Sequence, residues 1–133
     1  MSGPTPLDSE EPLAGRRILI VEDEAMIALL IEDVLTDLGS TVVGPAARLD
    51  EALALARSAE VDLAALDLNL AGDPVYPVAE ALAQRGIPFV FMTGYGQLGI
   101  AERWRGRPSI AKPFRPTQLA SFLREALKGQ PPD

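Results

Sequence analysis

A chain of 133 residues, 47% of them hydrophobic, has room for one domain with one continuous core, and no apolar run approaches the roughly 18–20 residues of a membrane span. With no cysteine and no histidine, disulfides, thiolate catalysis, imidazole bases and zinc sites built on either residue are excluded, so any metal must be a hard cation held by carboxylates, with magnesium (Mg2+) the leading candidate. A net charge of −7 argues against nucleic-acid binding, and the Pro-rich, acidic start is unlike a secretory signal, so a soluble cytoplasmic protein with protein partners, and neither nucleic acid nor membrane among them, is expected.

Residues 1–15 carry Pro4, Pro6 and Pro12 with Asp8, Glu10 and Glu11, the composition of a disordered leader. The domain is expected over residues 16–128, with a short flexible tail at 129–133. Arg17 to Val21 reads as a buried strand ending in Glu22-Asp23-Glu24. A helix follows with Ile27, Leu30, Ile31, Val34, Leu35 and Leu38 on one face and Gly39 as its stop. Thr41 to Val43 is a short second strand closed by Gly44-Pro45, and Leu49 to Ala59 a second helix with Ala52, Leu53 and Ala56 inward.

From Val61 the chain is a run of Leu and Ala that delivers a single carboxylate, Asp67, to its end. Such a run reads as a strand buried on both faces, and Asp, depleted in strands and costly to bury unpaired, belongs at its carboxyl end. After a loop with Gly72, Pro74 and Pro77, a short helix spans about Val78 to Gln84. Pro88 to Met92 is the fourth strand, with Thr93 at its end. Gly94 to Arg107 carries the weakest pattern, with one poor helix around Ile100 to Trp104. Ser109 to Ala111 is a fifth strand running into Lys112-Pro113-Phe114, and Leu119, Phe122, Leu123, Ala126 and Leu127 mark a last helix ending at Gly129.

Five alternations of strand and helix imply an α/β fold with a doubly wound, five-stranded parallel sheet of flavodoxin-like order 2-1-3-4-5. In that order strands one and three are neighbours at the switch point, which sets Glu22 and Asp23 beside Asp67. Carboxylates so close are intelligible if a cation neutralises them or a pKa rises. A magnesium ion held by two side chains, a backbone carbonyl near Asn69 and waters suits the composition, and such an ion serves in-line phosphoryl transfer onto Asp67. Thr93 offers a hydroxyl and Lys112 a compact positive charge from the other side of the crevice.

Glu22-Asp23-Glu24, Asp67 in Leu-Asp-Leu-Asn69, Met-Thr93-Gly94 and Lys112-Pro113-Phe114 resemble, in order, the receiver domain of two-component response regulators, over roughly residues 16 to 128. The resemblance implies Asp67 as phosphoacceptor, Asp23 as a direct magnesium ligand, Glu22 as a ligand through water and Asn69 as a carbonyl ligand. It also implies Thr93 as the switch hydroxyl and Lys112 as the phosphate-binding lysine. Phe91 to Gly96 is similar to a stand-alone subgroup with a Phe-Ala-Thr-Gly type motif, from which two positions depart. Ser109 stands where receivers usually carry an aromatic ring, and Tyr95 follows Gly94 directly.

The function so implied is that of a single-domain response regulator that accepts a phosphoryl group from a histidine kinase or phosphotransfer protein. With no room for an output domain after the last helix, it is expected to act on a downstream protein or as a phosphate sink, and not as an enzyme. Taken singly, each motif has a plainer reading: helix N-terminal charges, a turn-forming Asp, a solvated lysine. An aspartyl-phosphate phosphatase would want an acid where Asn69 stands. A flavin phosphate would be repelled by the acids after strand one, and a receiver-like module that binds without phosphorylation would be expected to lack Asp67 or Lys112. Gly94-Tyr-Gly96-Gln-Leu-Gly99 matches a dinucleotide motif but sits on the wrong strand, so it reads as a loop. Because Ser109 lacks the bulk to report phosphorylation, the segment from Gly94 to Arg107 is expected to be the switch, with Tyr95 changing environment and Arg103, Trp104 and Arg105 open to a partner.

Overall fold

The computed structural model describes residues 11–94 and 99–129. Its strands and helices alternate as β1 (Arg17–Val21), α1 (Ala25–Asp37), β2 (Thr41–Ala46), α2 (Leu49–Ser58), β3 (Leu63–Asp67), α3 (Tyr76–Gln84), β4 (Phe89–Thr93), β5 (Ser109–Ala111) and α4 (Pro116–Lys128). All strand pairs of the main sheet are parallel and the order is β2-β1-β3-β4-β5, the doubly wound arrangement expected from the sequence. A two-stranded ribbon, Asn69–Leu70 with Asp73–Pro74, follows β3, and a single 3-10 turn at Glu102–Trp104 replaces the poor helix of the weakest segment.

The pleat of the strands explains why their sequences are apolar throughout. Along β1, Ile18 and Ile20 enter one core while Leu19 and Val21 enter the other, and β3 and β4 divide in the same way. One core joins the sheet to α2 and α3 and holds Leu66, Phe89, Phe91 and Trp104. The other joins it to α1 and α4 through Ile31, Leu35, Leu119 and Leu123. Every residue of β3 and β4 is buried, Asp67 and Thr93 included. Arg85, at the end of α3, donates to the carbonyls of Ala56 (2.7 Å) and Ala59 (2.8 Å), satisfying the otherwise open end of α2. No helix among the described residues is long and apolar enough to cross a membrane.

Three local expectations change. Strand β2 continues past Gly44-Pro45 to Ala46 through a register shift opposite Leu19 and Val21, and Gly44 is required there. Its φ is +91°, and a Cβ would stand 2.8 Å from the Ala46 nitrogen and 3.1 Å from the Ile20 carbonyl. The extension lets Ala46 O accept the Glu22 N–H at 3.0 Å, which carries the β1–β2 ladder up to the first acid. In α1, Leu30 is 46% exposed beside Met26 and Leu29, because it lies roughly 100° around the helix from the buried Ile31.

The third change concerns the leader. Its residues 11–15 form a turn that is part of the domain: Leu13 is fully buried with α1 and α4, its carbonyl accepts from Ser40 Oγ at 2.8 Å, and Gly15 N–H donates to Gly39 O at 2.9 Å. Glu11 pairs with Arg124 of α4 at 2.9 Å and its carboxyl is held below the usual range by that contact. Residues 1–10, and 130–133 of the expected tail, lie outside the described residues. Leu13→Ala should therefore destabilise the fold by about 2–4 kcal/mol in urea unfolding. A loss below about 0.5 kcal/mol, the range of ordinary surface changes, would return the turn to the status of a leader.

Candidate functional site

The two-residue period that sorts the cores also assembles the site. Followed to the end of β3 and one step past β1 and β5, the rows Leu63, Ala65, Asp67 and Ile18, Ile20, Glu22 and Ile110, Lys112 all fall on the α1/α4 side of the sheet. Thr93 follows Phe89 and Phe91 on the opposite side. Backbone bonds hold these ends in step, with Leu68 N–H on Met92 O at 2.9 Å and Lys112 N–H on Thr93 O at 2.8 Å.

Lys112 Nζ stands 3.0 Å from Glu22 Oε1, 3.4 Å from Asp67 Oδ2 and 3.5 Å from Glu24 Oε1. It donates to Glu22 Oε2 at 3.3 Å. The nearer oxygen, Oε1, is buried without an aligned hydrogen-bond donor, so the ammonium reaches it by charge alone. Glu22, Asp23 and Asp67 each bring a carboxylate oxygen into one group spanning at most 4.8 Å. Asp67 is 6% exposed, and burial first, then the charge of Glu22, push its carboxyl up to about 7 against the opposing pull of Lys112. Burial works to lower the Lys112 ammonium, but hydrogen bonding and charge from Glu22, with Asp67, hold it above its ordinary value.

A buried carboxylate oxygen with no donor, inside a group of three carboxylates and far from any thiolate or imidazole, is the donor set of a hard divalent cation. Glu22, Asp23 and Asp67 thus fit the expected metal. Asn69 is brought only to the rim: it is exposed, and its Oδ1 accepts the Gly72 N–H at 3.1 Å and holds the ribbon turn. Thr93 is 1% exposed at the end of β4, in the strand next to Asp67.

One feature escaped the sequence reading: Glu24 contacts Lys112, whereas strand-end position had drawn attention to Glu22 and Asp23. Trp104, expected to open to a partner when its segment switches, is 6% exposed and packs in the core. Its ring stacks on Tyr76 (centroids 6.4 Å, interplanar angle 3°) and meets Phe89 and Phe91. The Tyr76 hydroxyl accepts the Ala101 N–H at 2.8 Å, Arg103 pairs with Glu80 and lies over the indole, and Arg107 lies over Phe89. The half-buried Ser109 pairs with Phe91 in the β4–β5 ladder, so the apolar bulk missing from its side chain is supplied nearby by this cluster. Tyr95 lies outside the described residues.

The sequence profile of the response regulator receiver domain matches residues 18–124. Among curated relatives, the transcriptional regulatory protein PdtaR of Mycobacterium tuberculosis is 31% identical over 124 residues, covering 92% of this chain and 60% of its own. The phyllosphere-induced regulator PhyR of Methylorubrum extorquens is 33% identical over 114 residues, covering 83% and 43%. The chain thus spans about half the length of the curated relatives it matches. Among solved structures, SdrG from Sphingomonas melonis Fr1 is 44% identical with a TM-score of 0.74, covering 86% of this chain and 97% of its own. The response regulator PhyR from Brucella abortus is 32% identical with a TM-score of 0.76, covering 94% and 53%.

The raised Asp67 carboxyl sets a pH dependence. Folding lifts it from an ordinary 3.8 to about 7, so the native state binds this proton more tightly than the unfolded chain. The resulting stability is fully present below pH 3.8 and is lost as pH rises through about 7. In metal-free buffer Asp67→Asn, which never ionises, should match wild type near pH 4 and exceed it by on the order of 2–4 kcal/mol at pH 8. Adding magnesium should narrow the gap by stabilising wild type. A gap that does not change with pH in denaturant titrations would refute this account.

Proposed function

The chain belongs to the response regulator receiver domain family, and from that premise we propose that Asp67 accepts a phosphoryl group from a phosphohistidine carried by a histidine kinase or phosphotransfer protein. The observation that carries this reading is the buried Asp67 carboxylate set 3.4 Å from the Lys112 ammonium, within a group of acids it shares with Glu22 and Asp23. A carboxylate oxygen of Asp67 attacks phosphorus, the P–N bond breaks, and the imidazole nitrogen leaves with the electron pair. Lys112 gives up contact with the acids to balance charge on the phosphoryl oxygens, and the Thr93 hydroxyl donates to one of them. A magnesium ion held by Asp23 and Asp67, with Glu22 through water and the Asn69 carbonyl, would offset the remaining negative charge.

The solved structures similar to this chain include a BeF3-activated conformation of SdrG, at 45% identity, and beryllofluoride on a carboxylate mimics an acyl phosphate. A phosphatase reading gains nothing from the structure, since Asn69 is engaged with Gly72 and carries no acidic proton. The protein then works in the cytoplasm as a signalling module or phosphate sink, through protein contacts and without an enzymatic cycle of its own.

Intact-mass analysis after treatment with a phosphodonor and magnesium should show one added phosphoryl group in wild type and none in Asp67→Asn. An undiminished adduct in that variant would remove Asp67 from its role. Asp23→Ala should weaken magnesium binding by more than about tenfold in calorimetry, and unchanged affinity would remove the proposed metal site.

Readout is proposed to pass from Thr93 to residues 99–107, clamped to α3 by Tyr76 and Glu80. Beryllofluoride should change Trp104 fluorescence and amide protection over 99–107. A response limited to the surroundings of Ser109 would count against this route.

A further inference from the structure

Lys112 meets one carboxylate more than the transfer uses. Glu22 and Asp67 are its buried partners, while the Glu24 side chain, 63% exposed, reaches it from the solvent side. Glu24 holds the N-cap of α1, where a polar side chain commonly caps the helix, yet it makes no capping hydrogen bond. Its Oε1 turns toward the Lys112 ammonium at 3.5 Å instead. Its backbone N–H donates to Glu22 Oε2 at 3.1 Å, so the residue is fixed against the buried pair although its carboxylate faces water. Glu24 and Lys112 also line one open groove beside α1 with Ile27 and Phe114, and the exposed Glu24 carboxylate meets the ammonium on the solvent side of the buried acids.

We propose that Glu24 is a positioning and specificity-determining residue of the phosphoryl transfer, holding Lys112 toward the mouth and keeping a negative charge there that disfavours dianionic phosphodonors relative to donors of lower charge. The proposal rests on Asp67 as phosphoacceptor. A donor approaching Asp67 has to draw the ammonium away from Glu24 and pass its carboxylate, and like charges at a cleft lower encounter rates in a salt-dependent way. In the transfer an Asp67 oxygen forms the new O–P bond as the donor's bond to phosphorus breaks. Acetyl phosphate releases acetate with the electron pair, and phosphoramidate, already protonated on nitrogen, releases ammonia. Lys112 keeps its proton throughout.

The test compares wild type, Glu24→Gln and Glu24→Asp with these two donors, at low salt and at about 0.5 M salt, where the screening length falls to about 4 Å. Glu24→Gln should take up phosphoryl groups from acetyl phosphate about three- to tenfold faster at low salt, gain less than about twofold with phosphoramidate, and lose most of its advantage at high salt. Glu24→Asp, which keeps the charge, should stay within about twofold of wild type. No gain in Glu24→Gln, or an equal gain with both donors that survives high salt, overturns the proposal. If wild type accepts nothing from either donor, the phosphoacceptor reading fails by itself, and Glu24 is judged on the NMR resonance of the Lys112 ammonium in metal-free protein. Glu24→Gln must then shift that resonance and speed its exchange with water, and an unmoved signal overturns the contact.

Discussion

A single ammonium surrounded by carboxylates at the ends of parallel strands is the arrangement on which the site depends. Lys112 is within 3.5 Å of three acids, two of them nearly closed off from water. Charges so placed are costly unless paired, and the pairing exists because Asp67 ends β3 while Glu22 and Lys112 lie one step past β1 and β5, all three on the same side of the sheet. The fold can tolerate Glu22 and Asp67 together because Lys112 arrives between them. Burial, and after it the charge of Glu22, raises the Asp67 carboxyl, and Glu22 Oε1 is left without an aligned hydrogen-bond donor. A cation or an anionic group delivered to Asp67 would change the balance of charge there in opposite senses.

The positions of the acids were legible in the sequence because each interrupts an otherwise apolar run. A run such as Leu63 to Leu66 specifies burial on both faces, and the first charged residue after it marks the strand end with little ambiguity. Sheet order followed from the strand and helix alternation, and with it the neighbourhood of Glu22, Asp23 and Asp67. Glu24 was not legible in this way, since its contact depends on how α1 leaves β1 and where β5 ends, which is a tertiary fact. The same holds for Leu13: a lone leucine among Glu11, Pro12, Ala14 and Gly15 carries no periodic signal, and only the space beside Ser40 and α4 shows that it fills a place in the core. Gly44 read as a terminator because Gly-Pro usually ends strands, whereas here it shapes a bulge that prolongs one.

The segment after β4 shows the limit of pattern reading from the other side. Its glycines and scattered basic residues gave only one poor helix around Ile100 to Trp104, and among the described residues the structure has a 3-10 turn at Glu102–Trp104 in its place. What stabilises it is a set of contacts with α3 and β4 that no local period encodes: an indole stacked on a phenol, a hydroxyl on a backbone N–H, an arginine between a carboxylate and a ring. Through Ile100 and Trp104 the segment is also part of the core shared with α2 and α3.

The alternation of side chains across the sheet has one more consequence. Thr93 lies in the row of Phe89 and Phe91, while Lys112 lies in the row of Ile110, so the two cationic or hydroxylic groups flanking Asp67 are anchored in different cores. A displacement of Thr93 would press on the layer of α2 and α3, and one of Lys112 on the layer of α1 and α4. The sheet is therefore a partition with the acidic site at its rim, and the groups on either side of Asp67 are held by separate cores.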